Sequence, residues 1–109
     1  MAETIFQMQH LVPHYAVISA ATSGQTAVVA AVTGRKIRVL QYFVVAETAV
    51  DVKFESASTA ITGLMSIGAN SGVAAGSEAG IFETVAAEAL NINLGGAVQV
   101  SGALTYVLI

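Results

Sequence analysis

Read as apolar and polar positions, the chain is a series of short segments with a two-residue period. The densest is KIRVLQYFVVA, residues 36–46, which contains no Gly or Pro and is rich in Val, Ile, Phe and Tyr. Such residues fit a pleated surface. It opens on Lys36 and Arg38 and becomes apolar on both faces from Val39 onward. A strand apolar on both faces is covered on both sides, by its own domain or by another subunit. Leu40, Tyr42 and Val44, on one of the two faces, are therefore the expected subunit-interface residues.

The remaining segments fit around this strand. Residues 16–21 and 26–32 are short strands separated by the turn Thr22-Ser23-Gly24-Gln25. In residues 50–56, Val50, Val52 and Phe54 alternate with Asp51, Lys53 and Glu55, so one face meets a core and the other meets water. Ala57-Ser58 is a tight connection into the less regular residues 59–67. GANSGVAAGSEAG, residues 68–80, has almost no bulky side chain and reads as a long loop. Residues 81–84 and 89–94 are expected to pair with each other, and residues 98–107 close the chain. No segment of helical length has an i, i+3, i+4 stripe. About eight strands at this spacing predict an all-β, jelly-roll-like antiparallel β-sandwich. Residues 15–109 form this single domain. Residues 1–14 hold the only proline, Pro13, and both histidines, and they read as an N-terminal arm or first strand. Ile5, Phe6, Met8 and Leu11 make the arm too apolar for a solvated tail, so they are its expected anchors on a partner.

Composition strengthens the expectation of assembly. Only 10% of the residues are charged, four basic and seven acidic, against about 25% in average proteins. A small domain exposes much of its surface and uses charge to stay unassociated. The net charge of −3 and the lack of a basic run argue against nucleic acid as a partner. No apolar run approaches the roughly 18 residues that suggest a membrane helix, so no membrane partner is expected. No signal peptide is apparent, and without Cys there is no disulfide or thiolate metal site.

Candidate chemistry is sparse. His10 and His14 are four residues apart, but Pro13 lies between them and spoils a helical metal pair. Glu83 and Glu88 could be imagined as an acid–base pair, yet plain surface carboxylates are the simpler account. Asp51 and Glu55 flank Lys53, which favours an ionic strand surface over a calcium site. Asn91 and Asn93 could bond a sugar, a neighbour or water. No Ser sits in a nucleophile elbow and no phosphate-binding loop is present. The reading is a non-enzyme with no catalytic residue, metal or cofactor.

Two stretches carry a resemblance. GRKIRVLQYFVVAETAVDVKFESASTAITG (34–63) and FETVAAEALNINLGGAVQVSGALTYVLI (82–109) are similar to small virion proteins of tailed bacteriophages. In those, a GKKIRV strand and an FET–GEALN–NL segment precede a V–G–TYV final strand. The likeness spans roughly residues 15–109. It departs where Arg35 replaces a Lys and where Ala87 replaces a Gly. The resemblance implies a compact, often trimeric sandwich on the phage head, made in the host cytoplasm. Its role there would be capsid cement or decoration, clamping neighbouring copies of the major capsid protein. The alternative is a receptor- or carbohydrate-binding domain of a phage head or tail fibre; the lack of Trp weighs against it.

Overall fold

A computed structural model describes residues 12–109, so the expected anchors Ile5, Phe6, Met8 and Leu11 lie outside the described residues. The described chain is all strand and turn. Ten strands run in order: β1 (His14–Ala20), β2 (Gly24–Val29), β3 (Ile37–Ala46), β4 (Val50–Ser56), β5 (Thr59–Ala60), β6 (Met65–Ile67), β7 (Ser71–Gly76), β8 (Phe82–Glu83), β9 (Leu90–Leu94) and β10 (Val100–Leu108).

They build two antiparallel sheets. The first has the order β1-β10-β3, with β7 and β8 paired one after the other along the far edge of β3. The second has the order β2-β9-β4, with β6 and β5 sharing the far edge of β4. Each broken edge does the work of one strand, so the sandwich has eight strand positions. The chain crosses between the sheets at nearly every connection, and the first strand lies beside the last. This is the jelly-roll-like arrangement expected from the strand count.

The two inner faces meet in one core. Ile18, Ile37, Val39, Val44, Val100 and Leu104 of the first sheet oppose Val52, Phe54, Leu90, Ile92 and Leu94 of the second. Three rings fill its centre. Phe54 lies 5.0 Å from Tyr42, edge to face, and 5.3 Å from Phe82. Burial is near total where apolar residues alternate with polar ones, as at Val50, Val52 and Phe54, because each strand turns alternate side chains to opposite faces.

Strand β3 departs from that simple alternation. Its partner β10 pairs Thr105 with Gln41 and then Tyr106 with Val39, which leaves Leu40 as an extra residue in a β-bulge. Before the bulge, the odd-numbered Ile37 and Val39 point inward. After it, the even-numbered Tyr42, Val44 and Ala46 do. The strand reads as apolar on both faces because its inward face changes parity partway along. Tyr42 and Val44, expected at a subunit interface, are therefore only 7% and 0% exposed within the protomer's own core. The second sheet of the same chain supplies their cover.

Two further expectations change. The glycine-rich stretch expected to be a long loop contains β7, paired with β3 from Gln41↔Gly76 to Ala46↔Ser71. Its composition is poor for a strand, but pairing to a central strand overrides local propensity. A side chain at Gly72 would run into the Val44 carbonyl oxygen, so the closeness of the two strands itself demands a residue without one. Second, β8 and β9 do not pair with each other. Phe82 and Glu83 pair with Val39 and Arg38 of β3, whereas β9 lies in the opposite sheet between β2 and β4.

Candidate interaction surface

The outer faces of the two sheets differ sharply in chemistry. On the first sheet, the strand registers align three rows of four residues. These are Tyr15, Thr105, Gln41 and Gly76; then Val17, Ala103, Phe43 and Ala74; then Ser19, Ser101, Val45 and Gly72. No position in these rows is charged. Tyr15 is 80% exposed, Val17 78%, Phe43 52% and Val45 48%. Four large apolar side chains thus stand in solvent on a hydrogen-bonded, rigid sheet. A shallow depression between them is lined by Tyr15, Gln41, Ala74, Gly76 and Ala103. Leu40, the bulge residue, lines its continuation beside Tyr15 and Gly76. Of the three expected interface residues, Leu40 alone reaches this surface. Phe43, Val45, Tyr15 and Val17 were not singled out from the sequence. The alternation of Tyr15 and Val17 with Ala16 and Ile18 was a usable signal for β1; for β3 the bulge hid it.

The apolar face stops at a charged end. Arg38 donates to Glu83 Oε1 from Nε (3.0 Å) and from a terminal nitrogen (2.8 Å), across the β3–β8 pair. Lys36 Nζ lies 3.4 Å from the other carboxylate oxygen. The Arg38 guanidinium, helped by Lys36, holds the Glu83 carboxyl below the usual carboxylate range. His14, at the start of β1, stacks on Tyr106 with ring centroids 5.2 Å apart.

The second sheet's outer face is polar and internally bonded. Glu55 is only 4% exposed. Its Oε1 accepts from Gln25 Nε2 (2.6 Å) and Asn93 Nδ2 (3.2 Å), and its Oε2 lies 3.5 Å from Lys53 Nζ. Burial raises this carboxyl's pKa, but the amide donors and the Lys53 ammonium outweigh it and leave the group below its ordinary value. Gln25 and Asn91 also donate to the Ala57 carbonyl. Asp51 accepts from Ser66 Oγ at 2.9 Å. Asn91 and Asn93 are thus engaged within the chain, and Lys53 is an ionic partner of Glu55, as its place on the strand predicts.

Glu83 and Glu88 are not brought together. Glu83 belongs to Arg38 and Lys36, while Glu88 accepts from Ser56 Oγ at 2.6 Å. Among the described residues no three His, Asp or Glu side chains converge as a metal site. No helix among them is long and apolar enough to cross a membrane.

No protein-family model matches the chain, and no curated protein matches it in sequence. Solved structures do share its fold, the β-sandwich. One is a protein of Bacillus endospore appendages, described as a family of disulfide-linked pili: TM-score 0.55, 14% identity, over 90% of this chain and 86% of that one. Another is a chain of the cyanophage Pam1 capsid asymmetric unit: TM-score 0.54, 16% identity, over 90% of this chain and 84% of that one.

Proposed function

We propose that this protein is a structural, non-enzymatic component of a tailed-phage virion, a capsid cement or decoration protein on the head surface. The observation that carries the reading is the three uncharged rows on the outer face of the first sheet, where Tyr15, Val17, Phe43 and Val45 stand exposed. Large apolar side chains exposed together on neighbouring strands of one sheet suit a contact site. The resemblance of residues 34–63 and 82–109 to small phage virion proteins supports the choice of assembly. So does the fold shared with a capsid chain and with a pilus protein, both parts of large assemblies.

In this reading three copies form a homotrimer that bridges neighbouring copies of the major capsid protein. The arm, through Ile5, Phe6, Met8 and Leu11, docks on the shell. Each copy binds the assembled shell better than free subunits and so stabilises the shell by mass action. Three arms on one trimer act together through effective concentration, although one arm alone binds weakly.

Cryo-microscopy of purified virions tests the location: copies in a lattice over the head are expected. A few copies at the tail would instead favour the receptor- or carbohydrate-binding fibre domain. The arm is tested with a variant lacking residues 1–11. It should keep its β circular dichroism and bind undecorated heads much more weakly than the full chain.

A further inference from the structure

The exposed face of the first sheet carries large and small side chains in alternate columns. Tyr15 and Val17 on β1 and Phe43 and Val45 on β3 form two ridges. Ser101, Ala103 and Thr105 on β10, and Gly72, Ala74 and Gly76 on β7, form two grooves. Across the sheet the order is ridge, groove, ridge, groove. Adjacent strands lie about 4.8 Å apart, so the two ridges are separated by roughly 10 Å.

We propose that this face binds the same face of a second copy, about a twofold axis that runs parallel to the strands between β10 and β3. That rotation reverses the order of the columns. Each ridge of one copy then lies over a groove of the other, β1 over β7 and β3 over β10. An axis across the strands would set ridge on ridge. The contact is isologous: one patch is its own complement. No charge occurs in the three rows, so no like charges meet within them; the Arg38–Glu83 pairs of the two copies lie at one end, beyond the bulge, where each cation keeps its own carboxylate. A partner recognised by its charge would find nothing to grip here.

The area sets the strength. Four strands by three rows make a patch of roughly 20 Å by 20 Å, about 400 Å² per copy. Stable interfaces use about 800 Å² per partner. The pair is therefore weak in dilute solution and effective between copies already held close together on a shell. Face pairing would then tie neighbouring copies on one shell to one another. The inference rests on the assembly part of the proposed function and not on the identity of the shell.

A charge swap on the full chain tests it without phage heads. Val17 and Ala74 share a row at opposite edges of the sheet. Within one copy they are three strand spacings apart, about 14 Å, too far to pair. Across the proposed contact they face each other. Sedimentation equilibrium of the wild-type chain, from micromolar to millimolar, should show a concentration-dependent doubling of its basal mass. Val17→Lys alone and Ala74→Asp alone should each weaken that doubling at least tenfold with unchanged circular dichroism. The double variant V17K/A74D should recover it, because each new ammonium meets a new carboxylate across the pair. The proposal is overturned if the wild type does not double, if the single variants double as well as the wild type, or if the double variant fails to recover. It is likewise overturned if removal of residues 1–11 abolishes doubling while both single variants retain it, since the contact then runs through the arm. Head binding is measured separately: its loss with doubling intact counts against the capsid role alone.

Discussion

Ala87 adopts φ +64°, in the left-handed region, where its Cβ crowds the following carbonyl. Its N–H donates to the Arg35 carbonyl, which ties the turn to the start of β3. Ala87→Gly should therefore raise stability, by up to about 1 kcal/mol once glycine's extra unfolded-state freedom is subtracted; urea denaturation of both proteins measures it. At Phe54 the effect is larger and opposite in sign. The ring is fully buried between Tyr42 and Phe82, so Phe54→Ala should cost about 3–5 kcal/mol. Its neighbour Lys53 is partly exposed and pairs with a carboxylate that keeps two amide donors without it. Lys53→Ala should accordingly cost less than about 1 kcal/mol. Equal losses for the two changes would mean that the faces of β4 are reversed.

At the scale of elements, β3 and β10 hold the first sheet together. Gly102 of β10 faces Val44 across the pair, and a Cβ there would strike the Phe43 carbonyl oxygen. The obstacle is backbone and cannot swing aside as a side-chain tip would. Gly102→Ala should therefore destabilise by about 1–3 kcal/mol, the range for overpacking. Because the shift falls on β3, it should also broaden backbone amide signals on both sides of the bulge in two-dimensional NMR. A β10 substitution on the solvent face, Ser101→Ala, is the control and should do neither. The bulge at Leu40 sends Phe43 and Val45 outward and Tyr42 and Val44 inward from a run that is apolar throughout.

For the whole molecule, the two depressed carboxyls make acid a specific stress. Glu55 and Glu83 both have folded-state pKa values below their ordinary ones. A carboxyl of this kind contributes stability above its unfolded pKa, near 4.3, and loses it as pH falls through the lower folded value. Thermal unfolding should thus be nearly level from pH 7 to pH 5 and fall below about pH 4. Glu55→Gln should be less stable at neutral pH and should lose less between pH 5 and pH 3 than the wild type. Equal slopes for the two proteins would show that Glu55 does not carry the acid response.

The sequence alone determined the fold class and the inward face of the regular strands. Val50, Val52 and Phe54 must share a face because the pleat has a period of two, and burial follows. The scarcity of charge was likewise legible as a surface suited to contact. Three matters required tertiary structure. The parity change in β3 follows from how β10 pairs with it, and neither strand alone encodes the extra residue. Strand β7 exists because the edge of β3 is open to a backbone of small residues, although their own propensity is for a loop. The candidate surface is assembled from β1, β3, β7 and β10, which span the chain from Tyr15 to Thr105 and become neighbours only through the crossings between the sheets. Local pattern decides which side of a strand is apolar. Only pairing decides which strands stand side by side, and hence which exposed side chains form one surface.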